Sequence, residues 1–182
     1  EEEVKRGRAT SHWPLATRQE GIGMAVSTLG FDADRIAEIS EELFDLKESF
    51  VRKPRKEGAW SRKEILGHLI DSACVNLRRF VHAQISGSIV FEGYAHEQSV
   101  RLQGYQEQDW EELVTLWSAL NMHICTVVER IPADVLEKQH REHRFDVMAY
   151  RPVAKDKPST LGYIIEDYFA HLKHHLDQIL SK

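Results

Sequence analysis

The sequence predicts an all-α fold: a four-helix bundle with long crossover connectors, its second and fourth helices antiparallel. Two observations carry the fold class. Four segments repeat apolar residues at steps of three and four, and almost no stretch alternates as a strand would. A third observation, the depth of three histidines along two of the helices, sets the antiparallel pair. At 182 residues and 42% hydrophobic composition, the chain suits one domain with a sizeable core. Residues 1–30 read as an N-terminal extension and 31–182 as the helical domain.

The extension starts at Glu1 rather than Met, which suggests further chain upstream, and a charged run from Glu1 to Arg8 leads into no apolar signal segment. Leu15–Leu29 can hold a short helix, weakened by Gly21 and Gly23. From Asp32, the residues Ile36, Ile39, Leu43, Leu46 and Phe50 draw one helical stripe, which Pro54 and Gly58 interrupt. Ser61-Arg62-Lys63-Glu64 is a capping box that opens the second helix, with Trp60 placed to staple its start. Its stripe runs through Ile65, Leu69, Ala73, Leu77, Phe80 and Ile85 to a stop at Gly87. Residues Gly87–Gln108 form a long polar connector. The third helix, about Asp109–Arg130, is marked by Leu113, Trp117, Leu120, Ile124 and Val127 or Val128, and Pro132 closes it. In the charged connector Ala133–Pro158, a helical turn is expected near Asp134–Lys138 and extended chain over Arg144–Tyr150. The fourth helix spans about Thr160–Leu180, with Leu161, Ile164, Tyr168, Leu172, Leu176 and Ile179 inward.

Composition excludes several functions. With 24 Lys+Arg against 29 Asp+Glu, the net charge of -5 gives no basic stripe for nucleic acid. No apolar run approaches the roughly 20 residues that span a bilayer, so no membrane partner is expected. Cys74 and Cys125 are too few to staple a secreted fold, and a reduced cytoplasm suits them. There is no P-loop, no G-x-S-x-G, and His96-Glu97 does not extend to H-E-x-x-H because Val100 stands in the last place.

The ten histidines are the unusual feature. His171 and His175 stand four apart on the fourth helix, so they share a face with Cβ atoms about 5–6 Å apart. Apolar Tyr168, Leu172, Leu176 and Ile179 flank them, which turns the pair inward. His68 lies between Ile65 and Leu69 on the second helix and also faces inward. Three imidazoles buried together need three separate sets of hydrogen-bond partners, whereas one divalent ion satisfies all three. His68 is seven residues past Ser61, and His171 and His175 are nine and five before Leu180. At 1.5 Å per residue the depths are about 10 Å and about 7–13 Å, which match only if the two helices run antiparallel. A simple up-down-up-down bundle forbids that, so the Gly87–Gln108 connector should cross over.

The other histidines read as ordinary. His82 lies about 21 Å further along its helix than His68. His123 and His174 read as surface residues, His140 and His143 as solvated groups beside Arg141 and Arg144, and His12 and His96 lack context. Cys74 falls on another face than His68, and Cys125 beside Ile124 reads as a small buried hydrophobe. Asp71, Asp167 and Gln178, each within a turn of a candidate ligand, could orient the imidazoles.

Trp60-Ser61 with Glu64, Gly67-His68-Leu69-x-Asp71, and His171-x-x-His174-His175-x-x-Gln178-Ile179 resemble the DinB-like (YfiT-like) superfamily of metalloenzymes, over roughly Ile36 to Leu180. The resemblance implies a four-helix metal-binding domain whose metal ligands are His68, His171 and His175. It implies an enzyme that is a thiol S-transferase using a low-molecular-weight thiol cosubstrate, or a metal-dependent hydrolase, and it implies a homodimer. One divalent ion, Zn²⁺ or Ni²⁺ with Fe²⁺ as a third choice, would lower the pKa of a water or thiol in its open position. The substrate would be a small molecule. A non-catalytic bundle that binds metal or another ligand is the competing reading. The extension and the Ala133–Pro158 connector depart from the family pattern and lie where a substrate or partner could be selected.

Overall fold

Capping residues set where each long helix begins. The computed structural model describes residues 31–54 and 56–181. The predicted extension, its Leu15–Leu29 helix and His12 lie outside these described residues. Helix α1 (Ala33–Phe44) is capped by Asp32, whose carboxylate accepts the Arg35 N–H at 2.8 Å. Ile36, Ile39 and Leu43 are buried as the stripe requires. The sequence predicts one helix through Phe50, but the chain leaves the helix at Asp45 and resumes in a single turn, α2 (Glu48–Val51). The Leu43 carbonyl, which residue 47 would use in a continuous helix, instead accepts from the Trp110 indole at 2.8 Å and the Leu46 N–H at 3.1 Å.

Helix α3 (Arg62–Ser86) carries the predicted capping box in full. Ser61 Oγ accepts the Glu64 N–H at 3.2 Å, and Glu64 accepts the Ser61 N–H at 2.8 Å. Gly87 ends the helix at φ 67, a left-handed conformation that favours glycine. Ile85 does not join the buried stripe and is 80% exposed. Five residues past Phe80 it has turned about 140° away from that face.

The connector from 87 to 108 is more structured than its polarity suggests. It holds α4 (His96–Gln103), seated on buried Val100, and a 3₁₀ turn (Tyr105–Glu107). No side chain caps α4, so its start has no sequence signature. Helix α5 (Trp110–Val128) follows, capped by Asp109. The expected turn near Asp134 is α6 (Ala133–Glu137). The expected extended stretch over Arg144–Tyr150 is instead a helical turn, α7 (Phe145–Met148). Phe145, fully buried between the rings of His143 and Tyr163, holds it there. Helix α8 (Leu161–Leu180) starts at the Thr160 cap and buries all six inward residues the sequence predicts.

Contacts between the long helices fix their directions. Arg62, at the start of α3, donates to the carbonyls of Ile179 at 3.0 Å and Ser181 at 2.9 Å, at the end of α8. Further along, His68 meets His171, and Phe80 packs on Tyr168 at 5.9 Å. The two helices are antiparallel, as predicted. Lys63 ties the start of α3 to the Gln108 carbonyl just before α5, and Tyr168 donates to Asn121 at 2.6 Å, so α3 and α5 run the same way. The chain therefore crosses over between them, through residues 87–108. Among the described residues, no helix is long and apolar enough to cross a membrane.

Gly67 marks a close approach of this crossover to α3. A Cβ built there would lie 2.1 Å from the Tyr105 ring. Gly67→Ala should therefore destabilise the protein by about 1–3 kcal/mol through overpacking, read as a lower urea midpoint. An unchanged midpoint would mean that Tyr105 swings aside at no cost.

Candidate metal centre

The antiparallel α3 and α8 bring His68, His171 and His175 together. One ring nitrogen from each lies within 4.8 Å of the others. The Nε2 atoms of His68 and His171 face each other at 3.1 Å, and the three ring centroids are 4.5–5.1 Å apart. Two ligands on one tetrahedral ion at 2.0–2.1 Å would have nitrogens about 3.3 Å apart. The His68–His171 separation fits that figure. Burial drives the His68 pKa down to about 4 and that of His171 down to about 3, with further lowering from neighbouring histidines. Burial also lowers His175, against an opposing hydrogen bond from Gln178. All three are thus neutral near pH 7, the form that donates a lone pair.

Gln178 is hydrogen-bonded to His175. Its Oε1 accepts from His175 Nδ1 at 2.9 Å, which leaves His175 Nε2 free with its lone pair. Its Nε2 donates to the exposed His174 at 2.9 Å. Asp167 reaches no imidazole among its hydrogen bonds. It accepts the N–H groups of Tyr150 at 2.8 Å and Arg151 at 2.7 Å, and so anchors the loop that sets Tyr150 against His171. Asp71 is buried and accepts from Tyr105 at 2.7 Å and from Gln103. Among the described residues, its other oxygen has no partner, and neither does Nδ1 of His68, one turn earlier.

The triad opens into a cleft of about 580 Å³. Trp60, expected only to staple the helix start, lies 5.3 Å from the His68 ring and forms one wall. His96 is the histidine that sequence reading missed. Helix α4 carries it to 5.7 Å from His68, at the mouth of the cleft. His143, expected to be solvated, is buried: its Nε2–H donates to the Lys157 carbonyl at 2.7 Å and its Nδ1 accepts the Phe145 N–H at 3.2 Å. It braces the second connector, away from the triad. His82 and His123 are exposed, as is Cys74, while Cys125 is buried with its thiol pushed up to about 12.

The depressed imidazole pKa values make stability depend on pH. A buried histidine that protonates less readily than the usual 6.5 leaves the unfolded chain holding more protons in acid. Its contribution is present above about pH 6.5 and is lost as the pH falls toward 4 and then 3. The metal-free protein should lose urea resistance between about pH 7 and pH 4, and His171→Gln should lose less over the same range. Equal losses would remove His171 as a source.

The sequence profile of the DinB superfamily matches residues 32–179. No curated protein matches the chain. Among solved structures, the chain is similar to YfiT from Bacillus subtilis, described as a probable metal-dependent hydrolase with an unusual four-helix bundle topology. The TM-score is 0.68 at 16% identity, over 92% of this chain and 89% of that one. At that identity the likeness speaks for the fold alone. The matched profile runs from the cap of α1 to the last turn of α8 and takes in all three histidines, and the chain belongs to the DinB superfamily.

Proposed function

We propose that the protein is a metal-dependent enzyme that joins a low-molecular-weight thiol to a small electrophile. The observation that carries the metal is the convergence of three neutral imidazoles on one point, with the Nε2 atoms of His68 and His171 3.1 Å apart. His68, His171 and His175 would hold one divalent ion, Zn²⁺ or Ni²⁺ ahead of Fe²⁺, since no thiolate ligand discriminates among them. When bound, the ion supplies a Lewis acid that lowers the pKa of a thiol or water beside it. The same reading carries a cytoplasmic setting and a homodimer.

The chain's own residues supply orientation and enclosure. Gln178 fixes the His175 tautomer. Asp167 holds Tyr150 over His171, and Trp60 covers His68 on the other side. These rings keep bulk water from the imidazoles, which strengthens charge interactions within the cleft. Thiol transfer is preferred because a thiol is intrinsically far more acidic than water, whose activation would draw more on a general base. The buried carboxylate lining the cleft, Asp167, is already committed to three donors. Hydrolysis is the second reading, favoured by His96 and Glu97 at the mouth, where either could take a proton from water.

Purified protein should contain one equivalent of divalent metal, read by elemental analysis, and His68→Ala, His171→Ala and His175→Ala should each abolish it. Metal uptake that survives all three changes would remove the triad. Gln178→Leu should keep the metal but weaken its affinity about 10–100-fold, by freeing the His175 ring. Loaded protein should then consume monochlorobimane in the presence of thiols, with no rate above background in His171→Ala. A rate unchanged in that variant would remove the catalytic assignment even with metal present.

A further inference from the structure

The face of α3 that carries His68 remains polar well beyond the triad. Ser72, Asn76 and Arg79 follow at four, eight and eleven residues, about 40°, 80° and 20° from His68 around the helix. Ser72 and Asn76 are buried, and all four residues line the same cleft. A polar stripe on the inward face of a core helix is costly unless its groups are satisfied. Asn76 is tied to Ser72, through its carbonyl at 2.9 Å and hydroxyl at 3.3 Å. Asn76 Oδ1 accepts from Arg79 Nη1 at 3.2 Å.

That last bond draws the guanidinium back toward the triad, level with Asn76. It sits about 12 Å along the axis from His68. The other end of the fork donates to the Glu92 carbonyl, and the Phe91 ring lies 5.8 Å away. Among the described residues, no carboxylate lies within ion-pair distance of Arg79, although several other arginines have one. Glu92, whose backbone holds it, directs its own carboxylate to Arg144. Arg79 therefore brings a half-buried positive charge, with N–H groups to spare, to the far end of the cleft. Tyr94, packed beside Ser72, and Tyr168 form walls between the two ends.

We propose that Arg79 is an anion subsite: the cleft takes an elongated small molecule whose reacting end lies at the triad and whose other end bears a carboxylate held by the Arg79 fork. Asn76 is a positioning residue that holds the fork level with the cleft floor. The inference rests on the metal-centre reading for which end reacts, but the Arg79 site itself does not need the metal.

The test has two arms. In the first, metal-free protein is titrated with octanoate and, separately, with 1-octanol, while the Arg79 Nε–H resonance is followed by NMR. Octanoate should shift that signal and the alcohol should not. In the second, cobalt-loaded protein is titrated with ω-mercapto-carboxylic acids of three, six and eight carbons and with the matching mercapto-alcohols, read by the sulfur-to-cobalt absorption band. The acid should bind about tenfold more tightly than the alcohol at eight carbons and about equally at three. Arg79→Met should abolish this preference. Arg79→Lys keeps the charge without the fork and should retain only part of it, which guards against a misfolded Met variant. Equal binding of acid and alcohol at every length in the native chain, or a preference that survives in Arg79→Met, would overturn the subsite. If cobalt is not taken up while octanoate still shifts Arg79, the metal-centre reading fails and the subsite stands.

Discussion

The site depends on how the start of α3 is clamped to the end of α8. The last carbonyls of a helix have no partner within it. Here the carbonyls of Ile179 and Ser181 accept from Arg62, whose guanidinium also stacks 3.8 Å above the Phe50 ring. Buried Lys63, next in sequence, bonds Glu48 at 2.7 Å and the Gln108 carbonyl. These two cations pin one end of α3 to three other parts of the bundle. They also set its register against α8. His68 lies six residues above Arg62, about 9 Å, while His175 and His171 lie four and eight residues before Ile179, about 6 and 12 Å. One histidine thus comes level with the midpoint of the other two.

The clamp has a consequence for the rest of the chain. With α3 antiparallel to α8 and parallel to α5, the polypeptide must travel back along the length of α3 before α5 can begin. That return is the 87–108 segment, and it becomes a wall of the site. Helix α4 delivers His96 to the mouth of the cleft, and the 3₁₀ turn lays Tyr105 against Gly67. From there the Tyr105 hydroxyl reaches Asp71. The topology and the cleft are therefore one construction: a simpler up-down bundle would have neither the level histidines nor the covering segment.

Much of this was legible from residue pattern. The capping box at Ser61, the αL stop at Gly87 and the three- and four-residue apolar steps are local signals, and each acts where it stands. The histidine triad was legible because helical phase and depth are simple functions of sequence spacing once a helix is known. What escaped are features decided at long range. The break after Phe44 follows from an indole that arrives from residue 110. His143 is buried because its two ring nitrogens find backbone partners on either side of the Phe145 turn, which no periodicity announces. His96 reaches the cleft on a helix without a cap, and Asp167 turns from the imidazoles to two backbone N–H groups of a loop sixteen and seventeen residues earlier. The Gln178–His175 hydrogen bond is by contrast local, between residues one turn apart on the same helix.

The charge balance of the cleft follows from these assignments. Three neutral ligands do nothing to offset a divalent ion, so its full charge would face the cleft. Two buried carboxylates nearby offset part of that charge. Asp167 is paired with Arg151 and accepts the Tyr150 and Arg151 N–H groups, while Asp71, one turn from His68, accepts from neutral Tyr105 and Gln103 and keeps its charge. Arg79 adds another positive charge that no carboxylate of the described chain meets. An overall charge of -5 cannot correct this, because screening limits exposed charges to about 8–10 Å in physiological salt. With an ion bound, positive charge would stand at both ends of a cleft whose lining also holds Asp167 and Glu97. A substrate that meets both ends would bring an ionised thiol or water at the ion and a fixed anion at Arg79. A binding site arranged this way selects by the spacing of two charges, and that spacing is set by the same turns of α3 that the Arg62 clamp holds in register.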